Sequence, residues 1–298
     1  MMTTSHRFGR ILILGGNGQV GFELQRSFAP FGEVHAPRRH DVDASDLDAV
    51  AALIDTWQPQ LILNAAAWTA VDKAEEEREG AMRLNAELPA LLAQKASALD
   101  ATLVHYSSDY VYPGDGDQAW REDSPTAPLS VYGESKLAGD EAVLASDCRH
   151  LVFRTSWVYA ARGNNFMKTM LKLGRERDSL NIVNDQIGAP TPARLIAQLT
   201  CEALCQQIAN GLYHLAPQGT TSWHGFAQSI FRLAIEQGER LAINPETLGG
   251  IPTAEYPTPA ARPLNSKLSL EKIETALNIK LPNWDKQLKL TLQENLSS

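Results

Sequence analysis

The chain has 298 residues, of which 44% are hydrophobic and 21% are charged, a balance typical of globular proteins. Its formal net charge of −8 argues against nucleic acid as a partner, because proteins that bind a phosphate backbone normally present a basic face. No run approaches the ~18 apolar residues of a membrane span, and the first ten residues lack the apolar stretch of a secretory signal. We therefore expect a cytoplasmic protein with no membrane partner.

The cysteine content excludes two further classes of protein. Cys148, Cys201 and Cys205 give neither a disulfide framework nor a plausible zinc-ligand set. Cys201 and Cys205 stand one helical turn apart, and we expect them to pack in the core, since free cysteines are commonly buried.

The first predicted elements are a strand and a helix joined by glycines. Arg10–Leu14 is an apolar run of the kind found in parallel sheets that are buried on both faces, and helical character begins after Gly21. Such a turn leaves N–H groups free at the positive end of a helix dipole, where an anion binds well. Gly15 and Gly18 let a pyrophosphate approach the backbone, and Gly21 lets the helix and the strand pack closely. The pattern predicts a dinucleotide site; the alternative is a glycine-rich turn with no ligand.

Two arginines follow the second predicted strand, Glu33–Ala36. In a dinucleotide-binding fold, an acidic residue at this place holds the ribose 2′-hydroxyl, whereas an arginine accommodates a 2′-phosphate. Arg38 and Arg39 stand here, which favours NADPH and leaves NADH possible; two surface arginines with no ligand are the alternative. Residues 41–43 are predicted to form a short third strand, with Asp43 near the edge of the adenine.

Strands and helices then alternate along the chain. A helical stripe covers Leu47–Trp57, and buried strands are predicted at Leu61–Asn64, Thr102–Tyr106 and Leu151–Arg154. The alternation predicts an α/β fold of the Rossmann type, a doubly wound parallel sheet. In such sheets ligands bind outside the carboxyl ends of the strands, where the small residues after Asn64 leave room for them.

We expect two domains. Residues 1–160 form the NAD(P)-binding Rossmann domain, and residues 161–298 form a smaller, mainly substrate-binding domain. Some segments of the second part return to the first, with Gly211–Leu215 as one more candidate strand.

Three residues make a candidate catalytic set. Tyr132 and Lys136 are four residues apart in a helical segment, so the phenol and the ammonium share one face. A nearby cation lowers the pKa of a tyrosine toward the working range, and the phenol can then exchange a proton with a carbonyl oxygen. Ser108, just after a predicted strand, can orient the carbonyl group. An ordinary amphipathic helix would also explain an isolated Tyr/Lys pair, but the glycine turn and Ser108 favour catalysis.

Longer segments resemble the extended short-chain dehydrogenase/reductase superfamily and, within it, the dTDP-4-dehydrorhamnose reductase family. The resemblance covers nearly the whole chain and is far more specific than a glycine turn with a Tyr/Lys pair. The segments that carry it are residues 18–25 (GQVGFELQ), 64–73 (NAAAWTAVDK), 105–112 (HYSSDYVY), 132–139 (YGESKLAG), 153–159 (FRTSWVY), 163–166 (GNNF), 184–191 (NDQIGAPT), 211–215 (GLYHL) and 256–259 (YPTP).

The resemblance implies NAD(P)H-dependent reduction of the C4 keto group of dTDP-4-dehydro-β-L-rhamnose to dTDP-β-L-rhamnose, the last step of dTDP-rhamnose biosynthesis. The catalytic residues would be Ser108, Tyr132 and Lys136. With the motif analysis, the predicted cofactor contacts are Gly15, Gly18, Gln19, Val20, Gly21, Arg38, Asp43, Ala65, Ala66, Ala67, Trp68, Thr69, Tyr106, Tyr132 and Lys136. The predicted contacts to the dTDP-sugar are Ser108, Asp109, Tyr110, Trp157 and Arg262.

The sequence departs from the family pattern at three places, one of which is a loop after the second predicted strand that is shorter than in relatives. Many relatives have threonine where this chain has Ser108, and the hydroxyl, and so its role, is kept. Relatives can place Mg²⁺ at a dimer interface; Glu23 matches one of its ligands, but Arg194 stands where another glutamate is expected. Because magnesium requires oxygen ligands, we predict no bound metal, and that Arg194 can pair with Glu23 instead.

Two other functions stay open. Relatives also serve as non-catalytic, nucleotide-binding regulatory subunits of other enzymes, although such a role does not require Ser108, Tyr132 and Lys136 together. The second is a reductase or an epimerase that acts on another nucleotide sugar. The segments around Trp157 and at residues 185–191 argue against this alternative. The resemblance also implies a homodimer.

Overall fold

The computed structural model describes residues 7–297. The strands are, in chain order, β1 (Arg10–Leu14), β2 (Glu33–His35), β3 (Leu61–Asn64), β4 (Thr102–Ser108), β5 (Arg149–Thr155), β6 (Val158–Tyr159), β7 (Asn181–Val183), β8 (Ile187–Gly188), β9 (Thr191–Pro192), β10 (Gly211–His214), β11 (Thr221–Ser222) and β12 (Gly249–Ile251). A six-stranded parallel sheet in the order β10-β5-β4-β3-β1-β2 forms the centre. The predicted α/β doubly wound fold is confirmed.

Helices cover both faces of this sheet. They are α1 (Gln19–Phe28), α2 (Leu47–Trp57), α3 (Val71–Ala74), α4 (Arg78–Met82), α5 (Leu88–Ala98), α6 (Val131–Leu144), α7 (Phe166–Glu176), α8 (Ala193–Gln206), α9 (Trp223–Glu236), α10 (Glu271–Leu277) and α11 (Trp284–Leu296). A π-helical turn, Arg83–Glu87, joins α4 to α5, and a 3₁₀ turn, Asp109–Val111, follows β4.

Successive side chains of a strand point to opposite faces of the sheet, and this produces one apolar layer on each face. Ile11 packs on the side of α1, α8 and α10, whereas Leu12 packs on the side of α2, α5 and α6, and both are fully buried. This burial on two faces is why the strands are continuous apolar runs in the sequence. Strand β10 and helix α8 come from the second half of the chain and pack on the central sheet. The division into domains at residue 160 stays a prediction.

The strand order reverses between β1 and β3, and this reversal opens a crevice. On one side of the crevice the sheet consists of β1 and β2, and on the other side it consists of β3, β4, β5 and β10. The carboxyl ends of β1 and β3 therefore border the crevice, with Gly15 and Ala65 as the first residues beyond them. Open α/β sheets bind ligands at such a point.

A separate apolar cluster lies beside the sheet. It joins α7, α9 and α11 through residues such as Met170, Phe231 and Leu292, all of them buried. Short two-stranded pairings, β7 with β12 and β8 with β11, border this cluster. No helix among residues 7–297 has both the length and the apolar character needed to cross a bilayer.

The third strand predicted at residues 41–43 is wrong, because this segment forms turns. The Asp41 carboxylate accepts from the Arg38 N–H at 3.0 Å, and the Asp43 carboxylate accepts from the Ser45 N–H at 2.9 Å. Aspartate side chains that bond to nearby backbone in this way compete with strand pairing.

Candidate active site

The glycine turn after β1 has the geometry of an anion cradle. Gly15 has a φ of +76°, in the left-handed region. The Gly18 N–H donates to the Gly15 carbonyl at 2.9 Å, and this hydrogen bond closes the turn. A β-carbon at Gly15 would lie 2.6 Å from the backbone of Ala65, so only glycine fits there. Gly18 caps α1 without a side-chain oxygen, which leaves the N–H groups of the first turn available to a ligand. The turn therefore fits a pyrophosphate group.

A cleft of about 530 Å³ lies over this turn and the crevice. The predicted cofactor residues that line it are Gly15, Gly18, Gln19, Val20, Asp43, Ala65, Ala66, Ala67, Thr69, Tyr106, Tyr132 and Lys136. Thr155, Val158 and Asn164 line it as well, and sequence reasoning did not assign them to the site. They come from the end of β5, from β6 and from the loop before α7, so only the fold brings them to the cleft.

Three of the predicted cofactor residues do not line the cleft. Gly21 lies against the turn itself, where a β-carbon would approach the Gly15 oxygen to 2.2 Å. Arg38 has its N–H bonded to Asp41, and it is the neighbouring Arg39 that borders the cleft. Trp68 is not part of the lining, and its indole Nε1 donates to the Ala70 carbonyl at 3.0 Å.

Asp43 interacts with its own loop rather than standing free at an adenine edge. Its carboxylate accepts from the Ser45 N–H and hydroxyl and from Arg39 Nε, the last at 3.1 Å. The bonds from Ser45, with a smaller contribution from Arg39, lower the pKa of Asp43. Asp43 thus holds Arg39 at the rim of the cleft, with the arginine side chain 85% exposed.

Asn85 fixes the loop that carries Trp68, and the sequence analysis missed it. Its side chain accepts from the Trp68 N–H at 2.9 Å and donates to the Trp68 carbonyl at 3.1 Å. It also donates to the Ser135 hydroxyl of α6 at 3.0 Å. Asn85 is fully buried in the π-helical turn, a type of helix defect that is frequent at functional sites.

Helix α6 carries Tyr132 and Lys136 into the cleft. Ser130 caps the helix by accepting from the Gly133 N–H at 3.3 Å, which places Tyr132 in the first turn and Lys136 one turn later. The Lys136 ammonium donates to the backbone carbonyl of Tyr106 at 2.6 Å and is 2% exposed. Burial lowers the pKa of Lys136 to about 8, against the effect of Asp140, which raises it.

The expectation that Lys136 lowers the pKa of Tyr132 is not met. Burial raises the pKa of Tyr132 to about 12; the Ser108 hydroxyl opposes this, and the carboxyls of Asp109 and Asp140 add to it. The physical reason is that the Lys136 ammonium is bonded to the Tyr106 carbonyl instead of the phenol. A phenol that keeps its proton at neutral pH is suited to donating it.

Ser108 ends β4, and Asp109 begins the 3₁₀ turn after it. Neither residue lines the cleft itself, but Ser108 lies next to Tyr132, which does. The Ser108 hydroxyl donates to Asp109 Oδ1 at 3.2 Å and accepts from the Tyr110 N–H at 3.2 Å. Asp109 is 2% exposed, and its other oxygen, Oδ2, has no hydrogen-bond partner among the described residues. Burial raises the pKa of Asp109 to about 6, while the Ser266 and Ser108 hydroxyls lower it. A buried acceptor without a partner is costly unless a ligand satisfies it.

Tyr110 and Arg262 border the same side of the site. The ring of Tyr110 meets that of Tyr132 edge to face, with centroids 5.3 Å apart. The guanidinium of Arg262 makes a two-bond pair with the Asp72 carboxylate, at 2.9 and 2.8 Å. The Ala260 N–H also donates to Asp72, so the pair ties the C-terminal loop to the start of α3. Arg262 therefore has a protein partner in this structure.

Trp157 sits in a strained backbone conformation and stacks on a second indole. Its φ is +48°, which is an outlier for a bulky residue, and such strain concentrates at functional sites. Its ring lies 3.8 Å from that of Trp223, at an interplanar angle of 14°. Trp223 Nε1 donates to the Gln186 side chain at 3.0 Å, and Gln186 in turn donates to Thr253. Sequence reasoning found Trp157 but missed Trp223, which comes from a helix 66 positions away.

Arg194 pairs with Glu23, as the sequence analysis expected. Arg194 Nε donates to Glu23 at 3.2 Å, and its Nη2 donates to Glu294 at 2.5 Å. Arg26 also donates to Glu294, at 3.2 Å. Within residues 7–297, no three or more His, Cys, Asp or Glu side chains are grouped so as to hold a metal ion. Arg194 thus bonds to both oxygens of Glu23, and the two arginines share Oε1 of Glu294.

The chain matches the family model described as the RmlD substrate binding domain over residues 9–297. It is 48% identical over 293 residues to the dTDP-4-dehydrorhamnose reductase of Shigella flexneri, covering 95% of this chain and 97% of that protein. The Escherichia coli K12 protein of the same name is 47% identical over 292 residues, with the same coverage.

Solved structures agree with these relatives. A dTDP-4-dehydrorhamnose reductase from Clostridium acetobutylicum superposes with a TM-score of 0.89 at 34% identity, covering 97% of this chain and all of that one. The Bacillus anthracis enzyme of the same name, solved in complex with NADP, gives a TM-score of 0.88 at 32% identity, covering 96% of this chain and 99% of that one.

Proposed function

The chain belongs to the dTDP-4-dehydrorhamnose reductase family, and from that membership we propose its reaction. It reduces the C4 keto group of dTDP-4-dehydro-β-L-rhamnose to dTDP-β-L-rhamnose with NADPH, the last step of dTDP-rhamnose biosynthesis. The observation that carries the proposal is the convergence of Tyr132, Lys136 and the cradle at Gly15 in one cleft, with Ser108 beside Tyr132. A purely regulatory binding protein would need the cradle but not the other three residues.

The residues of the cleft have separate roles in holding NADPH. The N–H groups at the start of α1 bind the pyrophosphate, and Arg39 meets the 2′-phosphate at the rim. Ala65, Ala66 and Ala67 leave space along the carboxyl edge of the sheet. The bound cofactor supplies the hydride.

Tyr132, Ser108 and Lys136 carry out the protein's part of the chemistry. Tyr132 donates the phenolic proton to the C4 oxygen. Its raised pKa keeps the phenol protonated at neutral pH until that step. The Ser108 hydroxyl orients that oxygen and stabilises the charge that develops on it. Lys136 supplies a buried positive charge one helical turn from Tyr132, which favours the phenolate after the proton has left.

The sugar binds on the side of Asp109 and Trp157. The unpartnered Asp109 Oδ2 accepts from a sugar hydroxyl, and the stacked indoles of Trp157 and Trp223 offer an apolar wall to the hexose. Tyr110 borders Tyr132, and Arg262, once released from Asp72, offers a cation to the dTDP diphosphate.

The test is a reductase assay with defined substrates. The dTDP-4-keto sugar is generated with its upstream epimerase, and NADPH oxidation is followed optically, with the product identified by mass spectrometry. We expect turnover with the dTDP sugar and much less with the UDP-linked analogue. Absence of NADPH oxidation by folded protein would favour the regulatory role, and preference for the UDP analogue would favour another nucleotide sugar.

A homodimer and a cytoplasmic location complete the proposal. The homodimer rests on the family resemblance, and the location rests on the sequence analysis. Light scattering after size exclusion measures the first, and cell fractionation measures the second.

A further inference from the structure

A second charged side chain lies in the protein interior next to the catalytic residues. Asp140 is fully buried, and it follows Lys136 by four positions on α6. Residues with this spacing lie on one helix face, so the carboxylate stands one turn beyond the ammonium. No step of the proposed reaction uses Asp140.

The contacts of Asp140 leave one of its oxygens unsatisfied. Oδ2 accepts from Arg154 Nε of β5 at 2.9 Å. Oδ1 has no hydrogen-bond partner among the described residues, and His105 Nε2 of β4 lies 3.8 Å away. The Asn64 amide meets His105 Nδ1 at 3.1 Å, which makes Nδ1 the acceptor and leaves the ring proton on Nε2. Burial, and the charge of Lys136, hold the pKa of His105 well below its usual value, so the ring is neutral.

The other elements packed on α6 bring no competing charge to Asp140. Gly139 lies against the Asn85 carbonyl and Pro89, which are neutral. The ion pairs of α3, α4, the π-helical turn and α5 are made with partners away from Asp140: Asp72 pairs with Arg262, and the other pairs are Lys73–Glu77, Arg78–Glu134, Arg83–Glu87 and Lys95–Asp55. The 3₁₀ turn contributes Asp109, which acts on Tyr132 and bonds to Ser108. On β4, Ser107 contributes only a hydroxyl.

On the β5 side, the remaining group is a phenol. Arg154 Nη1 donates to the Tyr112 hydroxyl at 2.9 Å, and that hydroxyl meets His214 Nε2 at 2.6 Å. Burial raises the pKa of Tyr112 to about 12 and lowers that of His214 to about 3, so both are neutral at pH 7. Burial raises the pKa of Asp140, whereas Arg154, the Ser107 hydroxyl and Lys136 lower it. The 2.9 Å bond from Arg154 Nε favours the ionised form, so the buried cluster contains two cations, Arg154 and Lys136, and one carboxylate.

We propose that Asp140 is the counter-ion that keeps Lys136 protonated, and that it is thereby a positioning residue for proton transfer from Tyr132. This rests on the proposed function only for the roles of Lys136 and Tyr132. An arginine does not release its proton in proteins, whereas a buried lysine readily does. Without the Asp140 charge, the interior would hold two unopposed cations, and Lys136 is the one that can become neutral. The direction agrees with the effect of Asp140 on Lys136, whose pKa it raises.

The first experiment compares Asp140→Asn with Asp140→Glu in the pH profile of kcat. Activity that requires charged Lys136 falls as pH rises through the pKa of that lysine. Asp140→Asn should move this basic limb downward by about 1–2 pH units, the usual effect of losing one nearby opposite charge. Asp140→Glu keeps the negative charge, so the basic limb of this variant should lie close to its position in the parent protein. A packing role alone would lower kcat equally at all pH values, which would overturn the proposal.

The second experiment measures Lys136 without substrate or cofactor, so it stands even if the reductase assay fails. The protein is labelled with ¹³Cε-lysine, the Lys136 resonance is assigned with Lys136→Arg, and its titration midpoint is determined. The midpoint should fall in Asp140→Asn. It should rise in Arg154→Met, which removes the competing cation and keeps the carboxylate, so the second variant decides if the first does not fold. An unchanged midpoint in either folded variant would overturn the proposal.

Discussion

The phenol of Tyr132 stands in the first turn of α6, partly exposed to the cleft, with its pKa raised by burial. We predict that Tyr132→Phe lowers kcat by ~10²–10⁴-fold, the range for losing a positioned acid, with little change in the KM for NADPH. The matched control is Tyr213→Phe, which removes a phenol on β10 that donates to the Ala209 carbonyl, away from the cleft. Near-normal turnover in folded Tyr132→Phe protein would contradict the assignment.

Asp109 gives a second prediction at this scale. Below its pKa of about 6 the carboxylate becomes a carboxyl and loses its strength as an acceptor, so the KM for the sugar should rise as pH falls through 6. Asp109→Asn should have a high KM at every pH and should lose this dependence. Steady-state kinetics from pH 5 to pH 8 measures both, with the exposed Asp147→Asn as the control. The same dependence in Asp109→Asn would assign it to another group.

The same residue links function to stability. Its folded pKa of about 6 lies above the ordinary aspartate value of 3.8, so the folded protein binds the proton more tightly than the unfolded chain. That contribution to stability is fully present below pH 3.8 and is lost as pH rises through 6. We therefore expect Asp109→Asn to melt at a higher temperature than the parent protein at pH 7, a common trade-off at functional sites.

At the scale of elements, we expect the loop after β2 to set the cofactor preference. Arg39 borders the cleft, whereas Arg38 does not. We predict that Arg39→Ala raises the KM for NADPH roughly tenfold, because a charge-assisted hydrogen bond contributes about 1.5 kcal/mol, and leaves the KM for NADH unchanged. Arg38→Ala is the matched control and should change neither value. Equal effects of Arg39→Ala on both cofactors would show that it does not bind the 2′-phosphate.

At the scale of the whole molecule, a charged network joins helices from three distant parts of the chain. Arg194 of α8 bonds to Glu23 of α1 and to Glu294 of α11. Because the arginine occupies the carboxylate oxygens that Mg²⁺ would need, we predict that exhaustive EDTA treatment leaves activity unchanged. A large loss that magnesium reverses would contradict this.

The substitution Arg194→Glu provides the converse test of the same network. It replaces the cation with a third carboxylate beside Glu23 and Glu294. We expect magnesium to raise the melting temperature of this variant but not that of the parent, because an ion that binds only the folded state stabilises the folded protein. Equal responses of both proteins would show that the network does not govern metal binding.

The sequence by itself determined the sheet, the cradle and about half of the residues that line the cleft. Each of these depends on residues that are near one another in the chain: the apolar run of β1 leading into Gly15, or Tyr132 one turn before Lys136. Local spacing is enough for such features, since strand and helix periods place the side chains. The third strand at residues 41–43 failed for an equally local reason, the bonds from aspartates to nearby backbone.

Only the tertiary structure decided the partners and the proton affinities of the site. Trp223 reaches Trp157, and Glu294 reaches Arg194, across long stretches of chain that no local pattern relates. Lys136 bonds to a carbonyl of β4 rather than to the phenol, and burial then raises the pKa of Tyr132 instead of lowering it. The physical reason is that a pKa depends on desolvation and on every charge in reach, and both are known only once the chain has packed.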